Sequence, residues 1–168
     1  MPTKSDMVAE ITDNLRRVFQ VVNERSKRAE RETGLTGPQL WAIKVISEAA
    51  PIKVSELARR MYLHPATVGG ILDRLETKGF VSRTRSRSDR RVVKVGLTDD
   101  GKQLVNDAPE VAQGLLVAGL QQLSGEKLLT IMAGLADMVK ILGAQDVLPQ
   151  LLLSSEVNQP RQARKRKQ

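Results

Sequence analysis

Residues 54–101 constrain this chain more than any other run: VSELARRMYLHPATVGGILDRLETKGFVSRTRSRSDRRVVKVGLTDDG. Residues 54–61 have the spacing of a short helix with Leu57, Ala58 and Met61 on one side. Tyr62, Leu63 and His64 make a turn, and Pro65 suits the first position of a second helix, where its missing N–H costs no hydrogen bond. That helix runs to Lys78 with Val68, Ile71, Leu72 and Leu75 as its core face, and Gly79 ends it. Residues 80–85 and 91–97 alternate apolar and polar side chains as strands do, and the polar run 86–90 joins them as a hairpin tip. Thr98 then caps a further helix, with Asp99 and Asp100 at its positive end. Two short helices followed by a hairpin are the parts of a winged helix-turn-helix, in which the second helix can enter a groove while the hairpin reaches past it.

Charge supports the same reading. The chain carries a net charge of +8, and its positive residues are concentrated in two places. Arg83, Arg85, Arg87, Arg90, Arg91 and Lys94 lie on or beside the hairpin with Asp89 as the one acid among them. Arg161, Arg164, Lys165, Arg166 and Lys167 crowd the C-terminal run without an acid, and the remainder of the chain is slightly acidic. Confinement of this kind points to an anionic polymer as partner. Aromatic residues are only 2% of the chain (Phe19, Trp41, Tyr62 and Phe80), too few for a base-stacking surface, so double-stranded DNA is expected rather than single strands.

The absence of cysteine excludes disulfides, thiolate metal sites and thiol redox sensing. The one histidine, His64, reads as a cap or a phosphate contact rather than a catalytic base, and neither a phosphate-binding glycine loop nor a metal-ligand pair stands in the sequence. The chain therefore does not read as an enzyme, and no cofactor or metal is expected. It has neither the apolar core of a secretory leader nor a stretch of membrane-span length, so a cytoplasmic location is expected.

The flanks read as helices with narrow apolar stripes. Over residues 6–32, Val8, Ile11, Leu15, Val18 and Val22 recur at alternating spacings of three and four. Gly34 breaks that helix, and Thr36 with Gln39 fits a capping box for a helix running to about Ala49, with Leu40, Ile43, Val45 and Ile46 inward. Ile52 and Lys53 suit a short strand. The helix capped by Thr98 is expected to reach about Leu123 with a bend near Pro109, and Ser124 caps a last one carrying Leu128, Ile131, Leu135, Met138 and Leu142. Pairing both stripes across a two-fold axis would bury them and set two reading helices on adjacent turns of DNA. The expected fold is mainly α with a small β-hairpin wing. Its divisions are a helical dimerisation region at 6–35 and 100–142, a winged helix-turn-helix at 36–99, and a C-terminal extension with a basic tail at 143–168.

Several motifs in order resemble the MarR family of bacterial transcription regulators: LTGPQLWAI at 35–43, SELARR at 55–60, TVGGILDRLETKGFVSR at 67–83, SDRR at 88–91 and LTDDGKQL at 97–104. The resemblance spans about residues 6–142. It implies a homodimer that binds a palindromic operator, usually as a repressor, and that often releases DNA when a small, frequently phenolic or aromatic-carboxylate molecule binds. An architectural DNA-binding protein without an effector is the alternative reading, and the basic tail favours it.

On the reading helix, Pro65, Ala66, Thr67, Gly69 and Gly70 form the exposed N-terminal part. Thr67 can bond a base edge or a phosphate, and the glycines allow close backbone approach. Gly69 departs from the Thr found in many family members, which shifts weight to shape readout. Arg74 lies two turns beyond Thr67 on the same face and either contacts DNA, as the family motif implies, or pairs with an acid such as Asp73 or Glu76. At the wing tip Arg90 or Arg91 suits a narrow minor groove, with Asp89 holding an arginine or serving as a turn residue. Arg83, Arg85, Arg87 and Lys94 read as phosphate clamps. Thr36, Gln39 and Ser55 stand at helix starts, where they cap or meet phosphate, and His64 reads as a cap or a phosphate contact. An effector pocket would lie among the helices starting near Leu35, Val54 and Thr98 and the first helix, with Trp41, Arg16 and Tyr62 as candidate lining, although core packing is the safer account for Trp41.

Overall fold

A computed structural model of the protein describes residues 1–86, 89, 91–149 and 151. Arg87, Arg90 and the basic run 161–168, all singled out above, lie outside the described residues. Helix α1 (Lys4–Thr33) starts at a capping box in which Thr3 Oγ1 accepts from the Asp6 N–H at 3.2 Å and Asp6 Oδ2 accepts from the Thr3 N–H at 2.9 Å. It ends at Gly34, whose φ of 67° supplies the left-handed residue that closes a helix. Helix α2 (Gly37–Ala49) is the centre of the molecule, with Leu40, Ile43 and Ile46 fully buried. At its start Gln39 Oε1 accepts from the Thr36 N–H at 3.2 Å. The Thr36 hydroxyl faces the Gln39 amide without reaching hydrogen-bonding geometry, so one half of the capping box is made and the other is loose.

Strand β1 (Ile52–Lys53) leads into α3 (Val54–Arg60) and α4 (Pro65–Thr77), and β2 (Val81–Arg85) and β3 (Val93–Leu97) complete an antiparallel sheet in the order β1-β3-β2. The β2–β3 register runs from Val81 opposite Leu97 to Arg85 opposite Val93, and Ile52 faces Val95 across β1–β3. The core joins α2, α3, α4 and this sheet through Leu35, Leu57, Met61, Val68, Ile71, Leu72, Leu75 and Val95, none more than 1% exposed. It is aliphatic, with Trp41 its one aromatic among the buried residues, as an aromatic-poor composition requires.

One expected element divides. The helix capped by Thr98 is not a single bent rod: α5 (Asp99–Asp107) stops, residues 108–111 are non-helical, and α6 (Ala112–Gln121) begins afresh. The cause is Pro109. Its ring pushes the preceding residue out of the helical region, and Ala108 sits at φ −75°, ψ 137°. Lys44 of α2 spans the break, donating to the Ala108 carbonyl at 3.2 Å and to Glu110 Oε1 at 2.8 Å.

Helix α7 (Gly125–Ile141) is capped by Ser124 as expected, its Oγ accepting from the Lys127 N–H, yet no residue of α7 is buried. In α1 burial begins only at Val22, while Val8, Ile11 and Val18 of the same stripe stand about half exposed.

Candidate nucleic-acid interface

The reading helix is built from its cap outward. His64 is the N-cap of α4, its Nδ1 accepting from the Ala66 N–H at 3.2 Å, and Pro65 follows in the first turn. Because Val68, Ile71, Leu72 and Leu75 are buried, helical periodicity turns Ala66 and Gly70 to the opposite side, with Thr67 and Arg74 together on one flank. His64, Pro65 and Ala66 are exposed; Thr67, Gly70 and Arg74 are partly so. A β-carbon at Gly69 or Gly70 would meet nothing within 4 Å, so the fold itself leaves that surface open. Ser55 is exposed in the first turn of α3, whereas Thr36 is half-buried at the start of α2 with its hydroxyl turned inside.

The hairpin stands beside α4 and is joined to it by one guanidinium. Arg83 donates to Asp73 Oδ1 at 2.7 Å and to Glu76 Oε2 at 2.6 Å and 3.0 Å, and its backbone N–H reaches Glu76 Oε1. The hydrogen bonds from Arg83 hold the Glu76 carboxyl below its ordinary range, and Glu76 in turn raises the Arg83 guanidinium. Arg83 was expected as a phosphate clamp; in the structure its charge is met within the chain by two carboxylates of α4, and it braces the root of the wing. Arg85 and Arg91 are exposed, and Lys94 sits in β3 opposite Thr84. Asp89 Oδ1 accepts from the Arg91 N–H at 2.9 Å, the contact of a turn residue, and the Val92 N–H closes on the Asp89 carbonyl.

A cleft of about 680 Å³ opens between α2, α3 and α6, lined by Trp41, Lys44, Arg59, Arg60, Tyr62 and Gln121 among others. Tyr62 lines the cleft as expected, and Trp41 does both things expected of it, packing in the core and lining the cleft, whereas the first helix contributes nothing to the lining. Arg16 is paired with Asp13 on the exposed side of α1 and does not line the cleft. Sequence reasoning missed Lys44, Arg59, Arg60 and Gln121, whose convergence depends on α6 folding back after the Pro109 break.

With this geometry in view, the comparisons agree. The MarR family model matches residues 35–93. The organic hydroperoxide resistance transcriptional regulator of Bacillus subtilis is 32% identical over 108 residues, covering 64% of this chain and 72% of that one. The chain belongs to the MarR family. The transcriptional repressor MdtR of the same organism is 29% identical over 129 residues, covering 77% of this chain and 83% of its own length. The crystal structure of the YusO protein, also from Bacillus subtilis, superposes with a TM-score of 0.52 at 27% identity, covering 83% of this chain and 99% of that one. As a member of the MarR family the protein is a winged-helix, DNA-binding transcriptional regulator and not an enzyme. Among the described residues no helix is long and apolar enough to cross a membrane.

Proposed function

We propose that the protein is a homodimeric repressor that grips a palindromic operator with two copies of α4 and the β2–β3 wing, and that a small amphipathic anion in the α2–α3–α6 cleft releases it. One observation carries the reading: a winged helix-turn-helix with a closed core is flanked by two helices, the N-terminal part of α1 and the whole of α7, whose apolar stripes stay largely exposed among the described residues. A second copy covers both stripes and fixes the distance between two reading helices, one turn of DNA or about 34–36 Å for adjacent half-sites. In this reading the dimerisation region is 6–35 with 100–142, the reading module is 36–99, and the basic tail of 143–168 adds affinity without specificity.

At the duplex, Thr67 and Arg74 address base edges or nearby phosphates, Gly70 and Ala66 let the helix backbone come close, and Arg85, Arg91 and Lys94 with Arg87 and Arg90 of the wing supply phosphate and minor-groove contacts. His64, Pro65 and Ser55 border the groove. In the cleft, the rings of Trp41 and Tyr62 suit an aromatic body, and Arg59 and Arg60, which share Glu56, suit a carboxylate or phenolate, while Lys44 is held by Glu110, which lines the cleft together with Glu48.

Selection of binding duplexes from a random library, followed by anisotropy over a salt series, tests the reading. An enriched palindrome bound at least about a thousandfold more tightly than scrambled DNA is the expected result. Salicylate or a related aromatic acid is then expected to weaken that binding. Equal affinity for all duplexes with a steep salt slope would replace it with the architectural alternative. Removing residues 161–168 should flatten the salt slope and leave the preferred sequence unchanged.

A further inference from the structure

Among the described residues three helices end in the same hydrogen-bonded motif, and one of them uses the wrong residue. After α4, the Gly79 N–H bonds the Glu76 carbonyl and the Phe80 N–H reaches back to the Leu75 carbonyl. After α7, Gly143 and Ala144 do the same to Lys140 and Val139. Both glycines take positive φ, 79° and 64°. This paired closure needs a left-handed residue, which is why glycine is the usual choice. At the end of α3 the Tyr62 N–H bonds the Arg59 carbonyl and the Leu63 N–H bonds the Ala58 carbonyl, so the hydrogen-bond pattern is the same, but the left-handed residue is a tyrosine at φ 52°. A β-carbon there crowds the backbone, so Tyr62 costs stability that glycine would not.

The core does not repay that cost, because the Tyr62 side chain is outside it, 67% exposed. What the side chain does reach is α6. The Tyr62 hydroxyl accepts a hydrogen bond from Gln121 Nε2 at 3.0 Å, and both residues line the cleft. Tyr62 also stands two residues before His64, whose ring caps α4, so whatever fixes Tyr62 fixes the start of the reading helix. We infer that Tyr62 is a positioning residue for DNA binding: bonded to Gln121, its phenol holds the turn between α3 and α4 against α6 and so sets where the reading helix is presented. The inference rests on α4 being the helix that reads DNA. It further makes the Tyr62–Gln121 contact the point at which a molecule in the cleft would act on α4.

The test is a set of variants of the full chain, each measured for melting temperature and for affinity to the duplex enriched by the wild-type protein and to a scrambled duplex. Tyr62→Phe keeps the ring and loses the hydroxyl; Gln121→Met keeps the length and loses the donor. Each is expected to weaken binding to the enriched duplex about three- to tenfold, the scale of one hydrogen bond. The double variant should be no weaker than either single one, because both remove the same contact. Scrambled-duplex affinity should not change. Tyr62→Gly should show the same loss of specific affinity while melting about 2–4 °C higher, since it relieves the left-handed strain. Wild-type affinity in Tyr62→Phe, multiplicative losses in the double variant, or a lower melting temperature in Tyr62→Gly would each overturn the inference while leaving DNA binding intact. If the wild-type protein enriches no sequence, the DNA reading itself fails and the inference falls with it.

Discussion

The two halves of this molecule solve the burial problem differently. The module from α2 to β3 closes its own core: Leu40, Ile43, Ile71, Leu72 and Val95 are all inaccessible to solvent within one chain. The terminal helices do not. Leu135 of α7 is 54% exposed, and Ile11 of α1 is 50% exposed. Between α1 and α6 an apolar groove of about 600 Å³, lined by Val18, Val22, Leu116 and Leu120, faces outward as well. Periodicity alone cannot distinguish these cases, because a stripe facing its own core and a stripe facing a partner are spelled alike. The difference shows only in where the rest of the chain goes, and in the proposed dimer it would separate a part whose stability is intrinsic from a part whose stability depends on concentration.

Core truncation should have the largest effect. Leu72→Ala in α4 removes a fully buried side chain and is expected to cost about 2–5 kcal/mol in a denaturant melt, independent of protein concentration. Should the loss vary with concentration, the module would not be self-sufficient. The next largest effect belongs to the other half. Leu135→Glu places a charge on the α7 stripe, at a side chain that is more than half exposed. A single chain should tolerate it to within about 0.5 kcal/mol. In the proposed dimer it should shift sedimentation to the monomer at micromolar concentration and abolish the concentration dependence of the melting temperature. Unchanged sedimentation would place the subunit contact elsewhere.

The reading half was more legible in the sequence than the terminal half, for physical reasons. Caps and glycine stops are local: Ser124, Thr98, His64, Gly34 and Gly79 act on backbone groups within a few residues, and each stands at the helix end the sequence predicted. Pro109 was also legible, but its consequence was underestimated; read as a bend, it is a break, because Ala108 cannot stay helical and Lys44 is placed to satisfy its carbonyl. Contacts between elements were not legible. Arg83 reads as a free cation in a basic run, yet its acids lie seven and ten residues back on α4, brought near by the turn at Gly79. Tyr62 gave no warning either, since nothing in ARRMYLHP marks a left-handed position.

Arg83 offers a third test within the reading half. Replacing it by Gln leaves Asp73 and Glu76 without their guanidinium. Because both acids are substantially exposed, water compensates much of the loss, and the expected destabilisation is only about 1 kcal/mol. The more informative readout is hydrogen exchange of the β2–β3 amides, which should accelerate if Arg83 ties the wing to α4. Protection equal to wild type would mean that the sheet alone holds the hairpin in place.

The smallest expected effect concerns α3, where Glu56 holds Arg59 at 2.8 Å and Arg60 at 2.9 Å beside the cleft. The hydrogen bonds from Arg59 and then Arg60 pull the Glu56 carboxyl down to about 2 from 4.5. A depressed folded value means that the ionised form favours the folded chain. The contribution is therefore complete above pH 4.5 and is lost as pH falls toward 2. Glu56 is partly exposed and both arginines are open to water, so the amount is small and shrinks further in salt. Glu56→Gln should make the protein slightly less stable at neutral pH and no less stable than wild type near pH 2, so the two stability curves converge on the acid side. Curves that stay parallel through that window would assign the difference to packing rather than charge. Freed of Glu56, Arg59 and Arg60 should also bind an aromatic carboxylate in the cleft more readily, so the same substitution ought to lower the concentration of salicylate needed for DNA release.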